Sequence, residues 1–407
     1  MIRLGLCVFL AAWVGFGEMG PSQPVAQPRV VARVAFPALS RKRDSSSAGA
    51  CFSPSGEMLA VCCREKVKIC KLPSGRELIE FPGHTDFAAA TRFSPDGTRF
   101  VSMDSDENVR IWRISVEEWT LIDEIESGDV APSPERSLKM RVPSSAYAHG
   151  LAFSPDARLL AWVSRPFHRE DRVKVWDLER REEVAVLPVD GLVDLVTFSS
   201  DGSFLKAIVV RRVRARDVHQ IRLWSTSTFE RENKTSPRYE LDLHHWGQRS
   251  FSPDAELRVE FKSTGELLRV THLTTGRSAV YPGFPPVSPE LKRTLGPGIP
   301  GLPTTVVCSM VVSPDKTTVA IGTNQAGAVV LWDVPAGRPR ARLDNPAPGA
   351  VSTFASAFSP DGGYLFTISY HRPQEVGQTH GEVIWERVGL VWDVQGDGVT
   401  GQSVYRQ

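Results

Sequence analysis

The chain has 407 residues, a formal net charge of +1 at pH 7 and a hydrophobic fraction of 41%. This balanced charge argues against a general nucleic-acid-binding domain, which would be clearly basic. Length alone would suggest two or three domains, but a repeated motif indicates that most of the chain forms one.

Residues 1–28 are predicted to be a signal peptide followed by a proline-rich leader. A basic start at Arg3 precedes an apolar run of about 13 residues, and polar and proline-rich sequence follows, which is typical of a secretory signal. A membrane span needs about 20 residues. We therefore expect export to the periplasm or the extracellular space, with no membrane span in the mature chain. An uncleaved signal anchor is the alternative.

A five-residue motif recurs seven times in the rest of the chain. It is an apolar residue followed by Ser-Pro-Asp-Gly or a close variant, and the copies begin at Phe52, Phe93, Phe153, Phe198, Phe251, Val312 and Phe358. Pro presets φ, Asp bonds the local backbone and Gly accepts a positive φ, so each copy is a predicted turn. The spacing gives a unit of about 40–45 residues with insertions, which is typical of a propeller.

Each predicted turn is followed by an apolar run that we interpret as a strand. These runs are residues 58–63, 99–103, 159–163, 204–210, 257–261, 318–323 and 364–370. Usually about 20 residues after the start of each motif, an alternating third strand carries Trp112, Trp176, Trp224, Trp332 or Trp392. The first and fifth units have Cys70 and Thr271 at this position. Most units then continue into a turn and a fourth strand.

This arrangement resembles the WD-repeat family of β-propellers. The resemblance covers residues 29–407 and implies an all-β fold, a single seven-bladed propeller of four-stranded antiparallel blades. We expect residues 29–36 to close the ring by pairing into the seventh blade, beside the strand that carries Trp392. Residues 402–406 are the alternative closing strand.

The second unit matches the family pattern best. The resemblance implies that His84, Ser102, Asp106 and Trp112 form a hydrogen-bonded chain that fixes this blade, and buried donors and acceptors do need partners. The Ser, Asp and His are also the residue types of a hydrolase triad. Nothing marks Ser102 as an exposed nucleophile, so we interpret the set as structural and expect no catalytic residues.

Cysteine spacing does not predict a metal site, and we expect no metal and no cofactor. Cys51, Cys62, Cys63 and Cys70 fall in the first unit without the paired spacing of a zinc site. Neighbouring residues on a strand face opposite sides, so Cys62 and Cys63 cannot easily bind one ion. We expect buried thiols, with a disulfide from Cys70 to Cys62 or Cys51 as the alternative.

Insertions concentrate on two kinds of connection: those between second and third strands, and those between one blade and the next. In the family these open on the same face. The longest include residues 127–145, 281–303 and 370–387. Aromatic and arginine side chains commonly anchor interfaces, so the candidate partner-binding residues are Arg165, Arg212, Arg214, Tyr370 and Trp385. The alternative is that the insertions are solvated and bind nothing.

We therefore expect a monomeric, non-enzymatic scaffold that binds a protein or peptide partner on the loop-bearing face. The alternative is a propeller enzyme, lactonase-like or another hydrolase, with its site at the mouth of the central channel. Such an enzyme would carry carboxylates or histidines just before the turns. Small, apolar and basic residues stand there instead, for example Ala50, Thr91 and Arg249.

Overall fold

The computed structural model describes residues 28–36, 49–81, 84, 88–104, 107–114, 119–126, 150–165, 170–213, 216–232, 239–241, 246–262, 267–283, 307–323, 328–346, 350–371 and 386–395. Within these ranges the strands form seven four-stranded antiparallel sheets, arranged as a β-propeller. The predicted fold class is therefore confirmed. The described part contains no helix long and apolar enough to cross a membrane.

The chain builds the blades in sequence order after a first strand, β1 (Arg29–Ala35), that belongs to blade seven. Blade one consists of β2 (Ala50–Phe52), β3 (Met58–Cys63), β4 (Lys66–Lys71) and β5 (Arg76–Phe81). Blade two consists of β6 (Ala88–Phe93), β7 (Arg99–Asp104), β8 (Val109–Ile114) and β9 (Trp119–Ile125). Blade three consists of β10 (Leu151–Phe153), β11 (Leu159–Ser164), β12 (Arg172–Asp177) and β13 (Glu182–Pro188).

The remaining blades follow the same order. Blade four consists of β14 (Leu192–Phe198), β15 (Phe204–Val213), β16 (Arg216–Ser225) and β17 (Tyr239–Leu241). Blade five consists of β18 (Trp246–Phe251), β19 (Leu257–Lys262), β20 (Leu267–His272) and β21 (Ser278–Pro282). Blade six consists of β22 (Val307–Val312), β23 (Thr318–Thr323), β24 (Val329–Asp333) and β25 (Arg338–Leu343), and blade seven adds β26 (Ala350–Phe358), β27 (Tyr364–His371) and β28 (Glu386–Asp393) to β1.

The seven predicted turns are present, and the serine of each copy is their central acceptor. Its Oγ accepts a hydrogen bond from the backbone N–H five residues later, at 2.8–3.0 Å in every blade. The fifth residue of each copy has a positive φ, including the non-glycine residues Ala157, Ala255 and Lys316. These three residues adopt a conformation that favours glycine, so the surrounding turn must hold them there.

The ring closes through the N-terminal strand, as predicted. β1 pairs antiparallel with β28, and Val30 lies opposite Trp392. β1 is hydrogen-bonded into blade seven, and blade one follows β1 in the sequence. This strand therefore links the last blade to the first and closes the ring. The alternative closing segment, residues 402–406, lies outside the described residues.

The hydrophobic core lies at the seams between neighbouring blades. Side chains at the second position of each blade's second strand face the preceding blade, as Phe100 of β7 does with Phe81 of blade one. Most tryptophans of the third strands pack at the same seams. For example, the ring centroids of Trp112 and Phe81 lie 4.2 Å apart. Each blade is therefore stabilised mainly by apolar burial against its neighbours.

Several sequence-based expectations lie outside the described residues. These are the predicted signal peptide, residues 127–145, most of residues 281–303 and 370–387, and Asp106, Arg214 and Trp385. Arg212 is described only as part of the backbone of β15.

Candidate functional site

The strand directions give the propeller two unlike faces. The Ser-Pro-Asp-Gly turns join first to second strands on one face. The connections between second and third strands, and between blades, open on the other, which we call the upper face. The strands that flank residues 127–145, 281–303 and 370–387 all end on the upper face. The predicted loop-bearing face is therefore the face at which these segments join the ring.

A hairpin of blade four projects from the upper face. β15 and β16 stay paired over ten residues each, to Val213 opposite Arg216, whereas β11 and β12 of blade three pair over six. At about 3.3 Å per residue, the four additional pairs extend the hairpin by roughly 13 Å. We call residues 211–213 and 216–217 the blade-four hairpin. Blade four thus carries a projecting strand pair on this face.

An exposed apolar residue lies at the base of this hairpin. Leu192, the first residue of β14, pairs with Val210 and is 62% exposed, the largest value among the exposed large apolar residues that the structure describes. Beside it, the Arg211 guanidinium lies 2.9 Å from Asp190 Oδ2. An exposed leucine beside a charged pair at the base of a projecting hairpin is a surface that a protein partner can bury.

Arg165 is buried rather than presented to a partner. It is 8% exposed, and its Nη2 donates to the carbonyl of Val193 at 3.1 Å. Its Nε lies 3.7 Å from Asp171 Oδ2. Arg165 therefore joins blade three to blade four, and we do not include it in the proposed partner surface.

Tyr370 is also buried, at 5% exposure. Burial raises the pKa of its phenol, and Arg387, opposite it on β28, lowers that pKa in part. The Arg387 guanidinium in turn lies 4.9 Å from the centroid of the Phe36 ring. Tyr370 thus packs in the apolar cluster between blades seven and one and is not available as a surface anchor.

In blade two the structure brings His84 and Ser102 together. His84 Nε2 lies 2.8 Å from Ser102 Oγ, and Nδ1 lies 3.3 Å from Asp104 Oδ2. The Trp112 Nε1 atom has no hydrogen-bond partner within the described part of the chain. Because Asp106 lies outside that part, the full four-residue chain stays a prediction. Ser102 and His84 are buried, as a structural pair should be.

The seam between blades four and five holds a buried cluster of charged and polar groups that the sequence reasoning missed. Arg258 and Glu260 of β19 form an ion pair at 2.5 Å, and Arg258 Nη2 lies 3.3 Å from His219 Nε2 of β16. Arg249 Nη2 donates to Asp194 Oδ1 at 2.7 Å across the same seam. Burial, Arg258 and Arg249 together lower the pKa of His219 to about 2, so the imidazole is neutral.

Neither thiol nor metal chemistry is indicated by the described residues. Cys51, Cys62, Cys63, Cys70 and Cys308 are free thiols, and burial raises the pKa of Cys63 to about 12 and those of Cys70 and Cys308 to about 11. Such thiols carry little thiolate at neutral pH and are poor nucleophiles. In the described ranges, no three His, Cys, Asp or Glu side chains are grouped to hold a metal ion.

Comparison with known proteins identifies one repeat within this fold. Residues 75–113, from β5 to β8, match the family model of the WD domain, G-beta repeat. The chain is 24% identical over 230 residues to Jouberin from Rattus norvegicus and 25% identical to Jouberin from Mus musculus, in each case over 51% of this chain and 20% of the relative. The matched region thus spans a fifth of these curated relatives. The repeat match and the seven four-stranded blades together support a WD-repeat β-propeller.

Proposed function

We propose that this protein is a non-enzymatic scaffold that binds a protein or peptide partner on the upper face of its propeller. The observation that carries the proposal is the blade-four hairpin, with the exposed Leu192 at its base. A WD-type propeller is a rigid support, and binding residues are commonly placed on connections held by such supports. Insertions that leave the strand ladder intact cost little stability.

The chemistry of the described groups favours binding over catalysis. A hydrolase would need Ser102 to reach a substrate, but Ser102 is 1% exposed and its hydroxyl faces the ring of His84. The buried ion pair of Arg258 and Glu260 is likewise closed to substrate. These observations support the scaffold over the hydrolase alternative.

Affinity capture with matched surface variants tests the proposal. The bait is the full chain, and the captured proteins are identified by mass spectrometry. Leu192→Asp should remove the specific partner, because it places a charge in the apolar contact, while leaving the fold intact. Val280→Asp is the control, since Val280 is also an exposed apolar residue, at 51%, but lies on the outermost strand of blade five.

The result expected is a partner captured by the wild type and by Val280→Asp and lost with Leu192→Asp. Capture that survives both Leu192→Asp and Arg211→Glu, but is lost with Val280→Asp, would place the partner on the outer rim and overturn the proposal. Melting temperatures of all variants exclude unfolding as the cause.

We also propose that the protein is exported after removal of its leader. The support is the basic start and short apolar run of residues 1–16. N-terminal sequencing of protein from the non-cytoplasmic fraction should give a start between Glu18 and Gln27. Protein that retains Met1 and stays in the cytoplasm contradicts the proposal.

A further inference from the structure

One register position distinguishes blade five from the other six blades. The second residue of each blade's second strand faces the preceding blade and lies opposite the tryptophan position of the third strand. It is apolar in six blades: Leu59, Phe100, Leu160, Leu205, Val319 and Leu365. In blade five it is Arg258, and the opposite residue is Thr271. Blade five therefore has a charged side chain at the position where the other six blades have an apolar one.

Two residues further along the second strand, blade five again has a charged residue, whereas blade seven has a neutral one. In blade seven it is Thr367, whose Oγ1 accepts a hydrogen bond from Trp392 Nε1 at 2.9 Å. In blade five it is Glu260, which forms the ion pair with Arg258. The neutral hydroxyl and indole of blade seven are thus replaced by two opposite charges, both of them buried.

Within the described residues, the polar groups at the seam between blades four and five are incompletely paired. Five buried atoms have no hydrogen-bond partner in the described structure: Arg258 Nε and Nη1, Glu260 Oε2, His219 Nδ1 and Asp194 Oδ2. His219 Nδ1 and Asp194 Oδ2 lie 3.9 Å apart, too far for a hydrogen bond. Buried charges with unmet hydrogen bonds are poorly stabilised relative to the same groups in water.

The apolar contact at this seam is small. Its buried cluster consists of Leu195, Ile208, Phe251, Ala255 and Leu273. Clusters that contain a tryptophan lie at five of the other six seams, for example Trp224 between blades three and four and Trp332 between blades five and six. The seam between blades seven and one has Cys70 at the tryptophan position but is filled by aromatic side chains, among them Phe366 and Tyr370. Thr271 leaves the seam between blades four and five without a tryptophan in the described ranges.

From these observations we infer that the propeller ring opens first at the seam between blades four and five. Opening any other seam exposes a larger apolar cluster to water. Opening this one exposes charges that water solvates well and a smaller apolar cluster. The hydrogen bonds that cross it, from Arg249 to Asp194 and from Arg258 to His219, can be replaced by bonds to water. The seam is thus a built-in opening point of the ring.

Hydrogen exchange of the full chain, measured by mass spectrometry, tests this inference directly. Local opening raises the exchange rate of the amides it exposes. Peptides that cover β14 and β18, the innermost strands on either side of the seam, should exchange at least about tenfold faster than peptides that cover β6 and β10. Equal protection of these two pairs would overturn the inference.

A variant that gives blade five the residues of blade seven provides the second test. The triple substitution Arg258→Leu, Glu260→Thr and Thr271→Trp reproduces the set Leu365, Thr367 and Trp392. It should slow exchange of β14 and β18 to the rate of β6 and β10. Unchanged exchange in a folded triple variant would contradict the inference.

Two single variants keep the test decisive if the triple variant does not fold. Glu260→Gln leaves Arg258 without its carboxylate and should speed exchange at β14 and β18 while leaving β6 and β10 unchanged. Thr367→Val is the matched control, because it removes the acceptor of Trp392 in blade seven and should act at the seam between blades six and seven. Faster exchange of β14 and β18 in the control, or its absence in Glu260→Gln, counts against the inference.

Discussion

His84 Nε2 lies 2.8 Å from Ser102 Oγ, and the other ring nitrogen lies 3.3 Å from Asp104 Oδ2. The imidazole therefore joins the segment before β6 to the second strand of blade two. Asp104 Oδ1 also accepts the backbone N–H of Asn108 at 2.9 Å. One histidine thus connects the entry, the second strand and the approach to the third strand of this blade.

Removing the hydroxyl of this pair should destabilise the fold without a functional effect. Ser102→Ala leaves a buried ring nitrogen of His84 without its partner, which costs about 1–3 kcal/mol. Urea unfolding measures the change in free energy, and Ser55→Ala, in an exposed turn, is the control. A variant that lost a hydrolytic activity while its unfolding midpoint stayed unchanged would contradict the structural interpretation.

The serine of a Ser-Pro-Asp-Gly turn should matter more than its polar neighbours. Ser94 is buried and its Oγ accepts from Arg99 N at 2.9 Å, so Ser94→Ala leaves this partly buried N–H without its acceptor, at a cost of about 1 kcal/mol or more. Thr98→Ala removes a hydroxyl that donates to the same turn's Asp96 in an exposed position. It should cost no more than about 0.5 kcal/mol. Equal losses in thermal stability for the two variants would show that the serine is not the central acceptor.

His219 should make the protein less stable as the pH falls. Its pKa is lowered to about 2 in the folded chain by burial and by Arg258 and Arg249, against about 6.5 when unfolded. Below pH 6.5 the unfolded state therefore binds a proton that the folded state does not, and stability falls by up to about 1.4 kcal/mol per pH unit.

Unfolding free energies at pH 7 and pH 5 measure this effect, because carboxylates titrate mainly below this window. His219→Gln should remove about 2 kcal/mol of the difference between the two pH values. His272→Gln, at an exposed position, is the control and should retain the full difference. An unaltered pH dependence in His219→Gln would mean that His219 is not buried as a neutral imidazole.

The repeated turns made most of the fold predictable from the sequence. The predicted second strands at residues 58–63 and 318–323 have the bounds of β3 and β23. β15 runs three residues beyond its predicted end, to Val213, because its pairing with β16 continues into the projecting hairpin. The sequence explained the Pro, Asp and Gly of each turn. It did not reveal that Ser, present in all seven copies, accepts the backbone hydrogen bond that closes the turn.

The candidate site was less predictable, because exposure depends on neighbouring blades. Arg165 follows β11 and Tyr370 begins the insertion of residues 370–387, yet the structure buries both. The cluster at Arg258 was missed because its partners His219 and Asp194 come from another blade. Comparing the same strand position across the seven units would have identified Arg258 as the one charged residue among apolar ones.

The strand that closes the ring gives the last prediction. Val34 of β1 is 3% exposed and lies opposite Gly389 of β28, so Val34→Asp buries an unpaired carboxylate and should cost about 3 kcal/mol or more. Arg29→Ala is the control: its contact with Asp393 is 3.7 Å long and largely exposed, and such pairs contribute about 0–1 kcal/mol. Thermal unfolding measures both.

A chain that lacks residues 1–36 should expose the edge of β28 and aggregate, and a peptide of residues 28–36 added in trans should restore its solubility. If the peptide has no effect and Val34→Asp unfolds like the wild type, β1 does not close the ring in solution.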